Sequence, residues 1–484
     1  MGVYSAWLDK YERAALTRTV AAPRRRRIWD VLARRVGLRR EPAGVAVNGD
    51  QERMVDDQFW EFAAEGRPAR TDRQTPARGR ARVVHCIGTL NAGGAERQLC
   101  NLVLGSRAHG YEPQVMAVYP LEGSAGHYLH LIEPAEIATG HVATTYDPRF
   151  ESQLRESPKL LALVRRLPDE LRSPVVDYFG EFLVNPPDVV HAWLDHTNIW
   201  AGVAAVLAGV PEVVLSTRNV NPTHFPYLAA SWFRPWYRWL ASFSNVHFIN
   251  NSHAGAEDYA AWLELPLERF HVILNGLDFG TVEHPGAERV DALRTELGLS
   301  SKDRLIAGVF RFSEEKQPEV FVQVLSQILR DDPRLHVAIA GAGPLEANIR
   351  SAITRGGAQD RFHLLGRRTD VASLLCAAEL LLLTSRAEGT PNVLLEAQAL
   401  KCPVVATRAG GATDAVWHEQ TGLLCDVGDV DELVRSVRRL LDDEDARAAM
   451  ASAGPAFIKD RFGLERMVEQ SVAVYDMALG FQRV

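Results

Sequence analysis

Short apolar runs that alternate with helical segments recur along this chain and limit its fold more than any other feature. A first series of strand-like runs spans residues 82–87, 115–118, 188–192, 213–216 and 246–250. A second series spans residues 305–309, 336–339, 380–383 and 404–406. Apolar strands that alternate with helices form parallel sheets covered by helices on both faces. The two series therefore predict two doubly wound α/β domains, with ligands at the carboxyl ends of their strands.

The length and composition agree with two folded domains. At 484 residues the chain is too long for a single core, and its 46% hydrophobic and 24% charged residues are ordinary for globular proteins. The five cysteines show no CxxC spacing, which argues against a disulfide framework or a cysteine zinc site and favours a reducing cytosol. No apolar stretch approaches the roughly 20 residues of a spanning helix, and the N-terminus lacks the apolar core of a signal peptide. We therefore expect a cytoplasmic protein.

The N-terminal segment differs from the rest of the chain in charge. Residues 1–40 contain eleven Lys or Arg and three acidic residues, although the whole chain carries a net charge of −7. Ile28, Leu32 and Val36 lie four apart between arginines, a pattern of basic amphipathic helices at anionic membrane surfaces. A helix docked on its own protein and a disordered arm are the alternatives. With a polar linker after it, the segment predicts a basic helical extension over residues 1–80.

The strongest local signal follows the apolar run at 380–383. Glu388 and Glu396 flank a loop and the start of an apolar helix, where free backbone N–H groups suit a phosphate or the hydroxyls of a sugar. Glu396 lies within the apolar run 393–397, where a charge is costly unless it has a partner. Two vicinal ribose hydroxyls would be such a partner, whereas a solvated pair of surface carboxylates is the alternative.

These glutamates are part of a wider resemblance. With Gly389, Thr390, Pro391 and Asn392 between them, they resemble the E-x7-E motif of the family 4 retaining glycosyltransferases of GT-B architecture. Arg311 and Lys316 resemble the pair that holds the donor diphosphate in that family. Other segments of the family match in the same order. Gly93-Gly94 resembles the first loop of the N-terminal domain, which faces donor and acceptor, and Asn275-Gly276 resembles the sequence that leads into the interdomain crossover. Gly341, Gly366-Arg367 and Gly410-Gly411 resemble segments near the donor nucleotide. The resemblance covers about residues 81–475.

The resemblance implies two Rossmann-like domains that face each other across a cleft. Residues 81–277 would form the acceptor domain and residues 278–460 the nucleotide-sugar domain. Residues 461–484 would form a helix that crosses back to the first domain. The implied donor is a nucleotide-diphosphate sugar, a UDP-sugar by default, and no cofactor is required.

The resemblance also implies roles for the site residues. Glu388 would accept hydrogen bonds from the donor sugar, and Glu396 from the ribose. Arg311 and Lys316 would stabilise the charge on the leaving diphosphate, so that no metal is needed. The alternative for this pair is local ion pairing, because two glutamates lie between them.

The first domain departs from the family pattern at two places. Family members often carry histidine at the positions of His191, Trp193 and His196, and the middle residue is tryptophan here. We therefore assign the catalytic hydrogen bond to the sugar to His196, and expect His191 to be a core residue. Many members also have Thr-x-His after the next strand, where this chain has Thr217-Arg218-Asn219.

A stripe of tryptophans is relevant to the kind of acceptor that the protein uses. Trp232, Trp236 and Trp239 fall at i, i+4 and i+7 on one face of a predicted helix. Such a stripe is usually part of a core. Tryptophans mixed with arginines also suit a membrane interface. Together with the basic extension, the stripe favours a lipid-linked acceptor.

Taken together, these features predict a retaining glycosyltransferase of the hexosyltransferase type, peripheral on the inner face of the membrane. Its acceptor would be a lipid-linked glycan or an oligosaccharide in surface polysaccharide or glycolipid assembly, and no nucleic acid is expected as a partner. A nucleotide-sugar epimerase of the same architecture and a catalytically inactive membrane-associated scaffold are the alternatives. The presence of Glu388, Glu396, Arg311 and Lys316 together disfavours the scaffold.

Overall fold

The computed structural model describes residues 81–142, 148–157, 161, 164 and 167–481. The predicted basic extension, residues 1–80, lies outside these ranges, as does its amphipathic helix. The described residues contain two parallel sheets, one in each half of the chain. The prediction of two doubly wound domains is therefore confirmed.

The first sheet has seven parallel strands in the order β3-β2-β1-β4-β5-β6-β7. Its strands are β1 (Arg82–Ile87), β2 (Glu112–Ala117), β3 (Ala138–His141), β4 (Val189–Trp193), β5 (Glu212–Ser216), β6 (Val246–Asn250) and β7 (Phe270–Val272). Helices on both faces of this sheet are α1 (Gly94–Ala108), α2 (Leu129–Ile132), α3 (Pro148–Glu156), α4 (Asp169–Val184), α5 (Asp195–Leu207), α6 (Phe233–Ala241) and α7 (His253–Leu263). The strand order reverses between β1 and β4, and such a switch point opens a crevice at the carboxyl ends of the strands.

The second sheet has six parallel strands in the order β10-β9-β8-β11-β12-β13. Its strands are β8 (Arg304–Val309), β9 (Leu335–Ala340), β10 (Phe362–Gly366), β11 (Leu380–Leu383), β12 (Val404–Thr407) and β13 (Gly422–Cys425). Its helices are α8 (Ala287–Glu296), α9 (Pro318–Ile328), α10 (Glu346–Gly356), α11 (Val371–Ala377), α12 (Asn392–Ala399), α13 (Ala412–Ala415), α14 (Val430–Asp442) and α15 (Glu444–Phe462). The switch point lies between β8 and β11, directly before the loop that carries Glu388.

The last helix, α16 (Leu464–Leu479), packs on the first domain. Tyr111 Oη donates to Asp476 Oδ1 at 2.7 Å, and Tyr475 Oη lies 2.6 Å from His191 Nδ1. The chain crosses between the domains twice, and the two crossings pair through backbone hydrogen bonds: Leu277 N donates to Phe462 O at 2.6 Å, and Leu464 N donates to Leu277 O at 3.1 Å. The paired crossings hold the two sheets against a shared cleft.

The tryptophan stripe belongs to the core of the first domain. Trp236 and Trp239 on α6 are 1% and 8% exposed, and Trp232 is partly buried against the same cluster. The neighbouring Arg234 and Arg238 donate to carbonyl oxygens at the end of α7. The interpretation of this stripe as a membrane-facing surface is therefore wrong, because its indole rings pack inward.

None of the helices in the described ranges is both long enough and apolar enough to cross a membrane.

Candidate active site

A cavity of about 680 Å³ lies in the cleft between the two sheets. Its lining comes from the loops after nearly every strand of both domains, as expected for ligand sites of parallel sheets. Twelve of the sequence-predicted site residues line it: Gly93, Gly94, Arg311, Lys316, Gly341, Arg367, Glu388, Gly389, Thr390, Pro391, Asn392 and Glu396. Its volume is in the range of pockets that hold nucleotide-sized ligands.

The loop between β11 and α12 positions Glu388. The strand is fully buried, and the glutamate that follows is 6% exposed. Glu388 Oε1 accepts from Lys316 Nζ at 2.5 Å and from Ser385 Oγ at 2.6 Å. A Cβ atom added at Gly389 would lie 2.4 Å from the backbone oxygen of Arg218, so only glycine allows the two domains to approach this closely. The carboxylate of Glu388 is thus held in one orientation at the cavity wall.

Glu396 lies on α12 and pairs with a residue of the other domain. Its Oε1 accepts from Arg97 Nη2 at 2.5 Å, and the two side chains are 17% and 32% exposed. Arg97 is in the first turn of α1, directly after the glycine pair Gly93-Gly94. The charge of Glu396 is therefore balanced across the cleft by Arg97, and its contact with a ribose stays a prediction.

Arg311 faces the cavity from the loop after β8. Its Nη2 donates to Glu315 Oε1 at 3.0 Å and to Tyr227 Oη at 2.5 Å. Tyr227 Oη in turn donates to Glu315 Oε2 at 3.0 Å, and burial, followed by the charge of Glu315, raises the pKa of this tyrosine to about 12. The local ion pair considered as the alternative for Arg311 is present. The arginine side chain is nevertheless 56% exposed, which leaves it accessible to a ligand.

Two predicted site residues do not line the cavity. His196 lies on the first turn of α5, where its ring packs 4.8 Å from the ring of Phe233 and 5.6 Å from that of Trp232. Burial lowers the pKa of His196. His196 thus packs among aromatic side chains outside the cavity lining, and its assigned contact with a sugar stays a prediction. Gly366 lies at the end of β10, accepts from Gly341 N at 2.8 Å, and leads into Arg367 at the rim.

His191 is a satisfied core residue, as predicted. It is 1% exposed, and its ring nitrogens contact Tyr475 Oη at 2.6 Å and Ser216 Oγ at 2.7 Å. Burial lowers its pKa. The ring is therefore neutral and belongs to the packing of α16 on the first sheet.

Asn275, which the sequence analysis did not name as a site residue, ties the domains together at the floor of the cavity. Asn275 Nδ2 donates to Thr390 O at 3.1 Å and to Asn392 Oδ1 at 2.8 Å. Nearby, Gln98 and Gly276 exchange two hydrogen bonds of 2.8 Å. The only available sequence signal was the position of Asn275-Gly276 directly before the crossover.

The metal-ligating side chains are dispersed. Within the described ranges, no group of three or more His, Cys, Asp or Glu side chains could hold a metal ion. The cations that face the cavity are instead arginines and a lysine. The chemistry available in the cleft is hydrogen bonding by carboxylates and neutralisation of an anionic ligand by guanidinium and ammonium groups.

Sequence comparisons relate this chain to known proteins. A model described as Glycosyltransferase Family 4 matches residues 92–280, and one described as Glycosyl transferases group 1 matches residues 290–457. The Vi polysaccharide biosynthesis protein VipC/TviE of Salmonella typhi is 28% identical, over 82% of this chain and 72% of that protein. A GDP-mannose-dependent monoacylated alpha-(1-6)-phosphatidylinositol monomannoside mannosyltransferase of Corynebacterium glutamicum is 31% identical, over 56% of this chain and 74% of that enzyme.

A comparison of structures gives the same architecture. The crystal structure of Anabaena Alr3699/HepE in complex with UDP and glucose matches with a TM-score of 0.66, over 82% of this chain and 100% of that chain, at 22% identity. Together with the two sheets described above, this match confirms the predicted GT-B fold of two Rossmann-like domains.

Proposed function

Because the chain belongs to the family 4 glycosyltransferases of GT-B architecture, we propose that it transfers a sugar from a nucleotide-diphosphate sugar with retention of the anomeric configuration. One observation carries the proposal: Glu388, Glu396, Arg311 and Lys316 line a single cavity, although they come from separate segments of the second domain. A carboxylate for each sugar ring and two cations for the diphosphate match the parts of such a donor.

Donor binding would exchange the ion pairs of the free protein for contacts with the ligand. Lys316 would turn from Glu388 to the diphosphate, and Glu388 would then accept from hydroxyls of the transferred sugar. Arg311 would join Lys316 on the diphosphate, where negative charge grows as the sugar leaves. Cations placed at that position stabilise the transition state more than the ground state.

A lipid-linked or oligosaccharide acceptor is the proposed second substrate, within polysaccharide or glycolipid assembly. The names of the relatives support this part: one concerns Vi polysaccharide biosynthesis, and the other a mannosyltransferase acting on an acylated phosphatidylinositol mannoside. The basic charge of residues 1–40 would add attraction to an anionic membrane surface of about 1 kcal/mol per residue close to it.

UDP is the proposed nucleotide, because the similar Anabaena structure holds UDP. A ligand that binds only the folded protein raises its melting temperature by mass action. We expect UDP to raise the melting temperature more than GDP, ADP or CDP at equal concentration. The control is the variant Lys316→Met, in which the shift by UDP should be strongly reduced. No shift with any nucleoside diphosphate would contradict the proposed function.

A further inference from the structure

Arg218 occupies an unusual position at the floor of the cavity. It follows β5 in the loop that faces the second domain, lines the cavity and is only 7% exposed. Its backbone has φ 62°, in the left-handed region, which is unfavourable for a residue other than glycine. Asn250 holds this conformation, because its Nδ2 donates to Thr217 Oγ1 at 2.7 Å and to Asn219 O at 2.8 Å. The fold thus keeps Arg218 in place against a local energetic cost.

Four of the other cations that line the cavity have carboxylate partners. Arg97 pairs with Glu396, Lys316 with Glu388, Arg311 with Glu315, and Arg368 with Asp370. Arg367 has no such pair in the described ranges, but it is exposed to water.

Arg218 has no carboxylate within ion-pair distance among the residues that the structure describes. Nη2 donates to the neutral Asn275 Oδ1 at 2.5 Å, whereas Nε and Nη1 have no hydrogen-bond partner in those ranges. The Trp193 ring lies 4.9 Å from Cζ and gives partial compensation as a cation–π contact. Burial lowers the pKa of this guanidinium to about 9, which still leaves it charged at neutral pH.

Trp193 stands where family members often have histidine, and Arg218 directly precedes Asn219, which stands at the histidine position of the Thr-x-His pattern. In the structure the guanidinium of Arg218 lies over the Trp193 ring. A buried cation without a counter-charge is costly, and proteins normally balance it with an anion. The two negative charges of a nucleotide-sugar diphosphate already have two proposed cations, Arg311 and Lys316, so the single charge of Arg218 is left for a further anion with one charge, such as a carboxylate.

We propose that Arg218 binds a carboxylate of a sugar substrate in the cleft and makes the enzyme selective for an acidic sugar. This inference rests on the proposed function. Nη1 is the donor left to reach the ligand, and Trp193 holds the guanidinium plane. The acidic sugar is carried either by the donor or by the acceptor.

Matched pairs of ligands distinguish these two sources. In the donor arm, calorimetry compares UDP-glucuronic acid with UDP-glucose, and UDP itself serves as the reference. In the acceptor arm, the rate of transfer from UDP-glucose to 4-nitrophenyl glucuronide is compared with the rate of transfer to 4-nitrophenyl glucoside. We expect a preference of about ten- to a hundredfold for the acid in one arm, the usual size for a hydrogen bond to a charged group.

The variant Arg218→Met should abolish the preference while leaving the affinity for UDP within about twofold. Arg218→Lys should keep part of it, and Arg350→Met, which removes an exposed arginine on α10, should keep all of it. If Arg218→Met does not fold, the preference of the wild-type protein and its reduction in Arg218→Lys still test the inference. If the wild-type protein binds UDP but prefers the acid in neither arm, the inference about Arg218 is wrong and the proposed function is unaffected. Absence of UDP binding in the wild type would instead contradict the proposed function.

Discussion

At the scale of single residues, Glu396 and Glu388 differ in what their removal should change. Glu396→Ala should weaken UDP binding about ten- to a hundredfold, because a hydrogen bond to a charged group contributes about 1.5–3 kcal/mol. Glu388→Gln should mainly lower kcat, since its proposed partner is the transferred sugar. Calorimetry with UDP and steady-state kinetics measure the two effects. Glu346→Ala, which breaks an exposed ion pair on α10, is the control. Wild-type kinetics in both site variants would show that the E-x7-E assignment is wrong.

Single site residues were predictable from the sequence when they lie within one segment, but contacts between distant segments were not. Glu388 and Glu396 were predictable because their loop and helix are contiguous and follow a buried strand. Arg97 was not, because it meets Glu396 across a separation of 299 residues. The orientation of His196 was not predictable either, since a residue on the first turn of a helix can point to the cleft or to a neighbouring helix. In the structure its ring packs against Phe233.

At the scale of elements, the crossing of α16 over α1 depends on a glycine. A Cβ atom added at Gly105 would lie 2.4 Å and 2.6 Å from the two methyl carbons of Val468, so a rotation of the valine does not relieve the overlap. Gly105→Ala should therefore destabilise the protein, because overpacking costs about 1–3 kcal/mol and the gain in helix propensity is about 1 kcal/mol.

The double variant Gly105→Ala/Val468→Ala tests this contact by urea denaturation. We expect its loss of unfolding free energy to be smaller than the sum of the two single losses, because the smaller side chain makes room for the added methyl group. Strictly additive losses would contradict the proposed overlap.

Strand prediction at this scale depended on apolar runs. All nine predicted runs coincide with strands, since buried parallel strands are apolar on both faces. The four strands without a prediction are β3, β7, β10 and β13. The edge strand β3 is largely exposed, and β7 has only three residues, so neither leaves a clear apolar run. The tryptophan stripe on α6 was ambiguous because core helices and interfacial helices share the same spacing.

At the scale of the whole molecule, two Rossmann-like domains enclose one cavity and are joined by two paired crossings. The sequence predicted both domains, because each depends on patterns within one segment, whereas the return of the last helix was implied only by the family resemblance. It did not predict which groups meet across the cleft. The contacts of Arg97 with Glu396 and of Asn275 with Asn392 depend on how the two domains sit against each other.

Proton NMR of the first-formed product tests most directly whether the protein transfers a sugar with retention of the anomeric configuration. With UDP-glucose as donor and water as acceptor, the anomer of the released glucose can be read before it equilibrates in solution. We expect α-glucose to appear first, because it has the anomeric configuration of the donor. Release of β-glucose first would contradict retention, and appearance of a second nucleotide sugar without free glucose would instead indicate the epimerase.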